Sequence, residues 1–249
     1  MTQDRFGWSN GAFSFDGVQD GITAPNSAPL NSPNATISFW IKVNELPAQG
    51  EVFLLSNGGW QERWKISMPS HGKPVFTTHP GFCCSDMDSG TPLTVGVWTH
   101  VVMVHDGVKD IIYFDGVQVA EKNVAGALDN TVYPFGIGYN PIDNANFFNG
   151  ALDEVMIFDQ ALSAGQILTL YNLQSAEPPI AQGKVASYAF NGNGFDATSF
   201  ANHADVLTAD ITTDRFGYGN SALALNGTSS EVSASNAEQL NSGAATVSF

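Results

Sequence analysis

"VWTHVVMVHDGVKDIIYFDGVQV", Val97–Val119, reads as three successive β-strands. In its first part Trp98, His100, Val102 and Val104 recur at every second position, which places them on one face of an extended chain. In its second part Asp115-Gly116 separates two β-rich runs, "IIYF" and "VQVAE". Asp-Gly supplies the positive φ angles of a two-residue turn whose twist matches that of the flanking strands. The stretch is therefore an antiparallel meander.

The same grammar extends in both directions. In "ATISFWIKV", Ile37, Phe39 and Ile41 share one face, with Thr36, Ser38, Trp40 and Lys42 on the other. Further strands are expected at Ala12–Phe15, Glu51–Ser56, Arg63–Met68, Pro74–Thr78, Phe135–Gly138 and Leu152–Phe158, between turns rich in Gly, Asn and Pro. Trp64 alternates with Ile66 and belongs to the interior. Strands this numerous point to an all-β fold, a sandwich of two antiparallel sheets. One helix interrupts the pattern. In "ALSAGQILTLYNLQ", Ser163 and Gln166 have the spacing of a capping box, and Ile167, Leu170 and Tyr171 form an apolar stripe. The helix is expected to pack on the sandwich edge.

The chain repeats itself. "DRFGWSNGAFSFDG" (Asp4–Gly17) returns as "DRFGYGNSALALNG" (Asp214–Gly227). Thr2–Phe39 aligns with Thr212–Phe249 without a gap, with 17 of 38 positions identical. One long period implies whole domains in tandem rather than small stacked units. Residues 1–174 are thus expected to form one repeat and residues 184–249 the first part of a second. "SAEPPIAQG", residues 175–183, is the Pro-rich linker between them. The chain is expected to be a window on a longer array. "KVASYAFNG" (Lys184–Gly192) precedes the second copy of the "DRFG" motif, and Val185–Phe190 is expected to pair beside Leu152–Phe158, completing the first sandwich.

Composition narrows the partners. Charged residues are only 13% of the chain, and the net charge is −15. Such a surface repels phosphate backbones and anionic lipid, which excludes nucleic-acid binding. No apolar run is long enough to span or insert into a membrane. The two cysteines, Cys83 and Cys84, are adjacent, so they cannot cross-link distant parts of one chain. Two reduced thiols, a vicinal disulfide that stiffens a loop, or metal binding remain open for them.

Several ordered motifs resemble one family. "FFNGALDEVMIFDQALSAGQILTLY" (Phe147–Tyr171) is similar to the closing segment of laminin-G-like, concanavalin A-like jelly-roll domains. Val97–Val119 resembles their central strand pair, and the "DRFG" stretch resembles the opening of such repeats in bacterial surface and secreted proteins. "PGFCCSD" departs from that pattern. The resemblance implies a jelly-roll with one short C-terminal helix per repeat. It implies a secreted or cell-surface protein, with neighbouring repeats in the same chain. It also implies a structural calcium, for which Asp153 is the residue carried over. Asp16 is a second candidate, and Asn191, Asn193 and Asp196 offer oxygens in the second repeat. The same residues are also what turns select.

No nucleophile elbow, zinc-hydrolase motif or phosphate loop is present. Glycosidase chemistry needs two facing carboxylates, whereas Asp153 and Glu154 are consecutive and point to opposite faces. His100 lies within a strand and is read as structural. Ligand chemistry is sought instead in the loops: Trp60 in "NGGWQERW"; His79, Phe82, Asp86 and Asp88 in "THPGFCCSDMD"; Tyr139, Asn140 and Asp143 in "GYNPIDNANF". Aromatic faces beside Asp and Asn are the chemistry that receives a sugar ring and orients its hydroxyls. The expectation is a non-catalytic carbohydrate-binding or adhesion module for a glycan or glycoprotein surface. The alternatives are an accessory domain of a polysaccharide-degrading enzyme or peptidase, and a structural spacer.

Overall fold

The structure is a computed structural model. It describes residues 1–249 except 9, 60, 83, 177–183, 191–192, 199, 216, 236–237 and 239–249. The chain divides into two compact units, Met1–Ala176 and Glu177–Phe249.

The first unit holds two antiparallel sheets of six strands each. The first sheet contains β1 (Phe13–Asp16), β3 (Ala35–Val43), β8 (Trp98–His105), β9 (Lys109–Phe114), β10 (Val117–Asn123) and β12 (Asn149–Phe158), in the spatial order β1-β12-β3-β8-β9-β10. The second contains β2 (Ile22–Ala24), β4 (Glu51–Asn57), β5 (Trp64–Pro69), β6 (Val75–Thr78), β7 (Ser85–Asp88) and β11 (Phe135–Ile137), in the order β2-β11-β4-β5-β6-β7. This is the two-sheet sandwich that the alternation implied, in the jelly-roll form that the resemblance implied. Ile37, Phe39 and Ile41 meet Leu55, Trp64, Ile66, Met68 and Phe76 in one core between the sheets. Asp115 and Gly116 both take positive φ, +48° and +77°, closing the hairpin from β9 to β10.

Every residue of β3 except Lys42 is buried, including those on the face turned away from the core. The cause is α1 (Ala164–Ser175), which lies over the outer face of the first sheet, not against the sandwich edge as the sequence suggested. Val102, Val104 and Tyr113 on that face pack with Ile167 of the helix in a second apolar cluster. Tyr171 stacks on Trp40 at 6.0 Å and on His100 at 5.9 Å, and the Trp40 indole donates to Gln174 Oε1 at 3.1 Å. The apolar residues on this second face of β3 and β8 are what the helix needs. Its start is fixed by the reciprocal Ser163–Gln166 box.

Two strands of this unit were not anticipated. Ile22–Ala24 is only three residues long. Ser85–Asp88, read from sequence as part of a ligand loop, is an edge strand that pairs with β6. Alternating acids have low strand propensity, but on an edge they discourage further pairing.

The second unit carries two short pairs: β13 (Ala204–Leu207) with β16 (Glu231–Ala234), and β14 (Asp210–Thr212) with β15 (Ala222–Ala224). Val185–Phe190 is not a strand; Tyr188 makes a single bridge, to Asp196. The strand neighbours of β12 are β1 and β3. The expected completion of the first sheet by Val185–Phe190 is therefore corrected. Four hydrogen bonds to Asp196 hold the surrounding turn: its Oδ1 accepts from the Ser187 and Thr198 amides, and its Oδ2 from Asn202 N and Thr198 Oγ1.

The repeated "DRFG" stretch builds the same turn twice. Thr2 bridges Ala12, and Thr212 pairs with Ala222. Asp4 N donates to Trp8 O at 3.1 Å, and Asp214 N to Tyr218 O at 3.0 Å. In each copy the aspartate Oδ1 accepts the amide of the same aromatic position at 3.0 Å. Asn10 and Asn220 both take positive φ, +62° and +59°.

Candidate functional site

The outer face of the second sheet carries polar side chains in register. Strand pairing places Thr23, Gly136, Ser56, Lys65, Thr77 and Asp86 in one row across all six strands. Alternation explains it: Trp64, Ile66 and Met68 go to the core, so Lys65 and Ser67 must face out. Thr77 Oγ1 donates to Asp86 Oδ1 at 2.6 Å. The Lys65 ammonium donates to the Glu51 carboxylate and lies 4.8 Å from the Phe53 ring centroid. A bulge between Phe53 and Leu55 in β4 sets Phe53 opposite Ser67 on this face, outside the core. The hydroxyls of Ser56 and Ser67 are buried without a hydrogen-bond partner. Strands sit about 4.8 Å apart, so the row from Gly136 to Asp86 is about 19 Å long.

A loop, residues 138–148, folds over one end of this row. It is pinned by Gly138 N to Leu54 O, Phe53 N to Asn146 O and Asn146 Nδ2 to Glu51 O, at 2.8–2.9 Å. Gly136 permits the approach: a Cβ there would stand 2.6 Å from Pro141 Cδ. Within the loop Tyr139 stacks on Phe147, with centroids 5.6 Å apart and planes at 7°, and its hydroxyl shares a hydrogen bond with Thr23. Asn140 is buried; its amide donates to Asp143 Oδ2 at 2.9 Å while its Oδ1 accepts from Ile142 N. Ile142 reaches the next loop, where a Cβ on Gly59 would meet its Cδ1 at 2.8 Å.

The structure thus brings Tyr139, Asn140 and Asp143 to one end of a polar face that also carries Asp86. Asp88 lies two residues beyond Asp86 on β7, exposed on the same face, and its Oδ1 accepts from Gly90 N. The structure separates the rest. His79 is 2% exposed and its backbone is tied to Arg63 and Asp129, so it belongs to the sandwich end and not to an open loop. Phe82 is exposed, and Cys84 is exposed beside it. Trp60 and Cys83 lie outside the described residues. Reading loops alone missed Lys65, Glu51 and Thr77, although the alternation around Trp64 and Ile66 already assigned Lys65 to the outer face.

The oxygens of the calcium candidates already have partners. Asp153 Oδ2 accepts from Arg5 Nη1 at 2.8 Å, and its Oδ1 from Glu154 N. Burial pushes this carboxyl up to about 6, against the pull of the Arg5 charge. Asp16 Oδ1 caps the amides of Val18, Gln19 and Asp20, bonds that hold its carboxyl below the usual range. Asp196 is committed to the four donors named above, and Asn193 Oδ1 accepts from Phe195 N. Asn191 lies outside the described residues. A cation needs several oxygens free to converge. Among the described residues no three His, Cys, Asp or Glu side chains form such a group. Among the described residues, the carboxylates named for calcium are each engaged by protein donors.

With the sandwich and its polar outer face in hand, comparison with known proteins is direct. The family described as the concanavalin A-like lectin/glucanases superfamily, a laminin-G-like group, matches residues 16–168. The chain belongs to that family. No curated protein matches the sequence. Among solved structures, the binding domain of botulinum neurotoxin serotype G superposes with a TM-score of 0.56 at 16% identity, covering 68% of this chain and 44% of that one. Domain 4 of AbnA, an extracellular arabinanase from Geobacillus stearothermophilus solved with arabinotriose, gives 0.52 at 23% identity over 64% of this chain and 76% of that one. The binding domain of Paraclostridial Mosquitocidal Protein 1 gives 0.54 at 20% identity, covering 85% and 56%. The chain spans under half the length of the neurotoxin domain it matches. At these identities the likeness is one of fold.

Proposed function

We propose that this concanavalin A-like chain is a non-catalytic carbohydrate-binding module of a secreted or surface protein, and that it takes neutral glycans on the outer face of its second sheet. The observation that carries the reading is the polar row Ser56–Lys65–Thr77–Asp86, buried except at its exposed end, Asp86, and running up to the Tyr139–Phe147 loop. Hydroxyl, ammonium and carboxylate groups in one line match the donors and acceptors of successive sugar hydroxyls. The stacked Tyr139–Phe147 pair supplies an aromatic edge. An arabinotriose-bound relative of the same fold supports the ligand class. Four carboxylates on this side are engaged: Glu51 by Lys65, Asp86 by Thr77, Asp88 by the Gly90 amide and Asp143 by Asn140. That favours binding over acid–base work.

A glycan array followed by titration calorimetry tests this. Asp86→Ala and Asn140→Ala should each weaken the best glycan about tenfold, the worth of one or two hydrogen bonds. No binding to any neutral glycan, or binding untouched by both variants, would move the site elsewhere.

A further inference from the structure

The two sheets meet at one flank, where β10 and β7, their outermost strands, lie against each other. Strand pairing decides which side chains of β10 reach across. A bulge between Gln118 and Ala120 shifts the register of β10 on β9, so that Ala120 stands opposite Ile112, Glu121 opposite Ile111 and Lys122 opposite Asp110. Ile112 belongs to the core between the sheets, and Ile111 and Tyr113 to the cluster under α1. Side chains alternate along a strand, so Lys122 turns toward the second sheet and Glu121 away from it. Without the extra residue, Val119, the pairing would slip by one, and Glu121 would face the acids of β7 instead. Re-aiming a side chain is what a bulge does.

Lys122 Nζ donates to the backbone carbonyl of Asp86 at 2.9 Å. The neighbouring carboxylates are engaged elsewhere: Glu121 accepts from Lys109 and Gln118, and Asp110 is shared between His105 and Thr78. Among the described residues no carboxylate pairs with Lys122. Asp86 thus has two tethers, Thr77 Oγ1 on its carboxylate and Lys122 on its peptide. β7 is a four-residue edge strand with acids at alternate positions. Acids are poor strand formers, and short exposed edges open easily. We propose that Lys122 is a positioning residue of the glycan site: reaching from the first sheet, it fixes the Asp86 peptide, so that the Asp86 carboxylate stays presented at the exposed end of the polar row. This role rests on the glycan-binding reading of that face. A binding group held in place before its ligand arrives loses less freedom on binding. Lys122 acts through Asp86 and not by touching the sugar.

Lys122→Met keeps the aliphatic stem and removes the donor. In titration calorimetry against a panel of neutral oligosaccharides that includes arabinotriose, it should weaken the tightest binder about fivefold, the worth of one hydrogen bond. Lys122→Arg, which keeps a donor in that place, should bind as the wild-type chain does. In the Asp86→Ala background Lys122→Met should have no further effect, a result that neither a general loss of fold nor a direct sugar contact would produce. A measurement without sugar stands beside these. Hydrogen exchange of the Ser85–Asp88 amides should quicken about fivefold in Lys122→Met while the Trp64–Met68 amides stay protected. Unchanged affinity in Lys122→Met overturns the proposal, and so does an equal weakening with and without the Asp86 carboxylate. If no oligosaccharide binds, the glycan reading fails by itself and exchange decides the role of Lys122: quickened exchange upholds its hold on Asp86, and unchanged exchange overturns it.

Discussion

His105 Nδ1 lies 2.7 Å from Asp110 Oδ1, with neither side chain exposed to solvent. His105 Nε2 faces the Gly126 carbonyl at 2.8 Å, and the second Asp110 oxygen accepts from Thr78 Oγ1 at 2.6 Å. Burial alone would lower the imidazole, but the Asp110 bond, the Gly126 carbonyl and the charges of Asp110 and Asp106 together raise it above 6.5. A histidine raised on folding stabilises fully below its unfolded value and loses that contribution as pH rises through the folded one. The melting temperature should therefore fall on the alkaline side, and His105→Gln should flatten that fall. Asp110→Ala, which strands a buried cation, should cost about 3–5 kcal/mol in urea unfolding.

His100 behaves in the opposite sense. It lies fully buried between Trp40 and Tyr171, with Ser38 Oγ 2.8 Å from its Nε2. Burial, with the nearby Arg5 charge, pushes it down to about 4. Between about 4 and 6.5 the unfolded chain binds the extra proton, so stability should rise with pH across that window, and His100→Phe should remove the slope. The helix that covers this histidine is anchored by Ile167, which is completely buried. Ile167→Ala should cost about 2–5 kcal/mol and expose Trp40, read as a red shift in tryptophan emission.

Arg5 is the cation paired with Asp153. Its guanidinium donates twice to Gln174 O, once to Asp153, and lies 4.7 Å from the Trp40 ring. Melting temperatures in calcium and in chelator should therefore coincide. Among the charges near Asp153, Arg5 is the one that most lowers its carboxyl. Arg5→Ala should move the carboxyl titration, followed by carbon NMR, above its present value of about 6. A calcium-dependent rise in melting temperature that Asp153→Ala abolishes would restore calcium binding.

Alternation carried most of the fold because it is a local property. Ile37, Phe39 and Ile41 declare their face whatever they meet. The same is true of the Asp115-Gly116 turn and the Ser163–Gln166 box, whose geometry is set within a few residues. What a residue meets is not local. That α1 lies on the sheet face and not on its edge depends on Trp40 and His100, more than sixty residues from Tyr171. Asp153 was legible as a functional oxygen by resemblance, but its partner is Arg5, 148 positions away in sequence. The proposed ligand face was half legible. Tyr139, Asn140 and Asp143 announced themselves as a turn-rich loop, whereas Lys65 and Thr77 were hidden inside strands and gained meaning only from register with Asp86.

Gly136 is the residue on which that face turns. Its backbone is ordinary, so alanine is tolerated conformationally, and the constraint is space alone. A Cβ would stand 2.6 Å from Pro141 Cδ and 2.7 Å from its Cγ, and a proline ring cannot swing aside as a long side chain can. Gly136→Ala should therefore lift the Tyr139–Phe147 loop from β11 and β4 while leaving the core of Phe39, Trp64 and Ile66 packed. The sharper case, Gly136→Val, should do so more completely. The expected readings are a loop that becomes protease-sensitive, an unfolding free energy lowered by what overpacking costs, about 1–3 kcal/mol, and glycan affinity reduced about tenfold or more. Because the row Lys65–Thr77–Asp86 is untouched, residual binding should still depend on Asp86. If Gly136→Val binds glycan as tightly as wild type, the loop is not part of the site and the polar row alone must account for recognition.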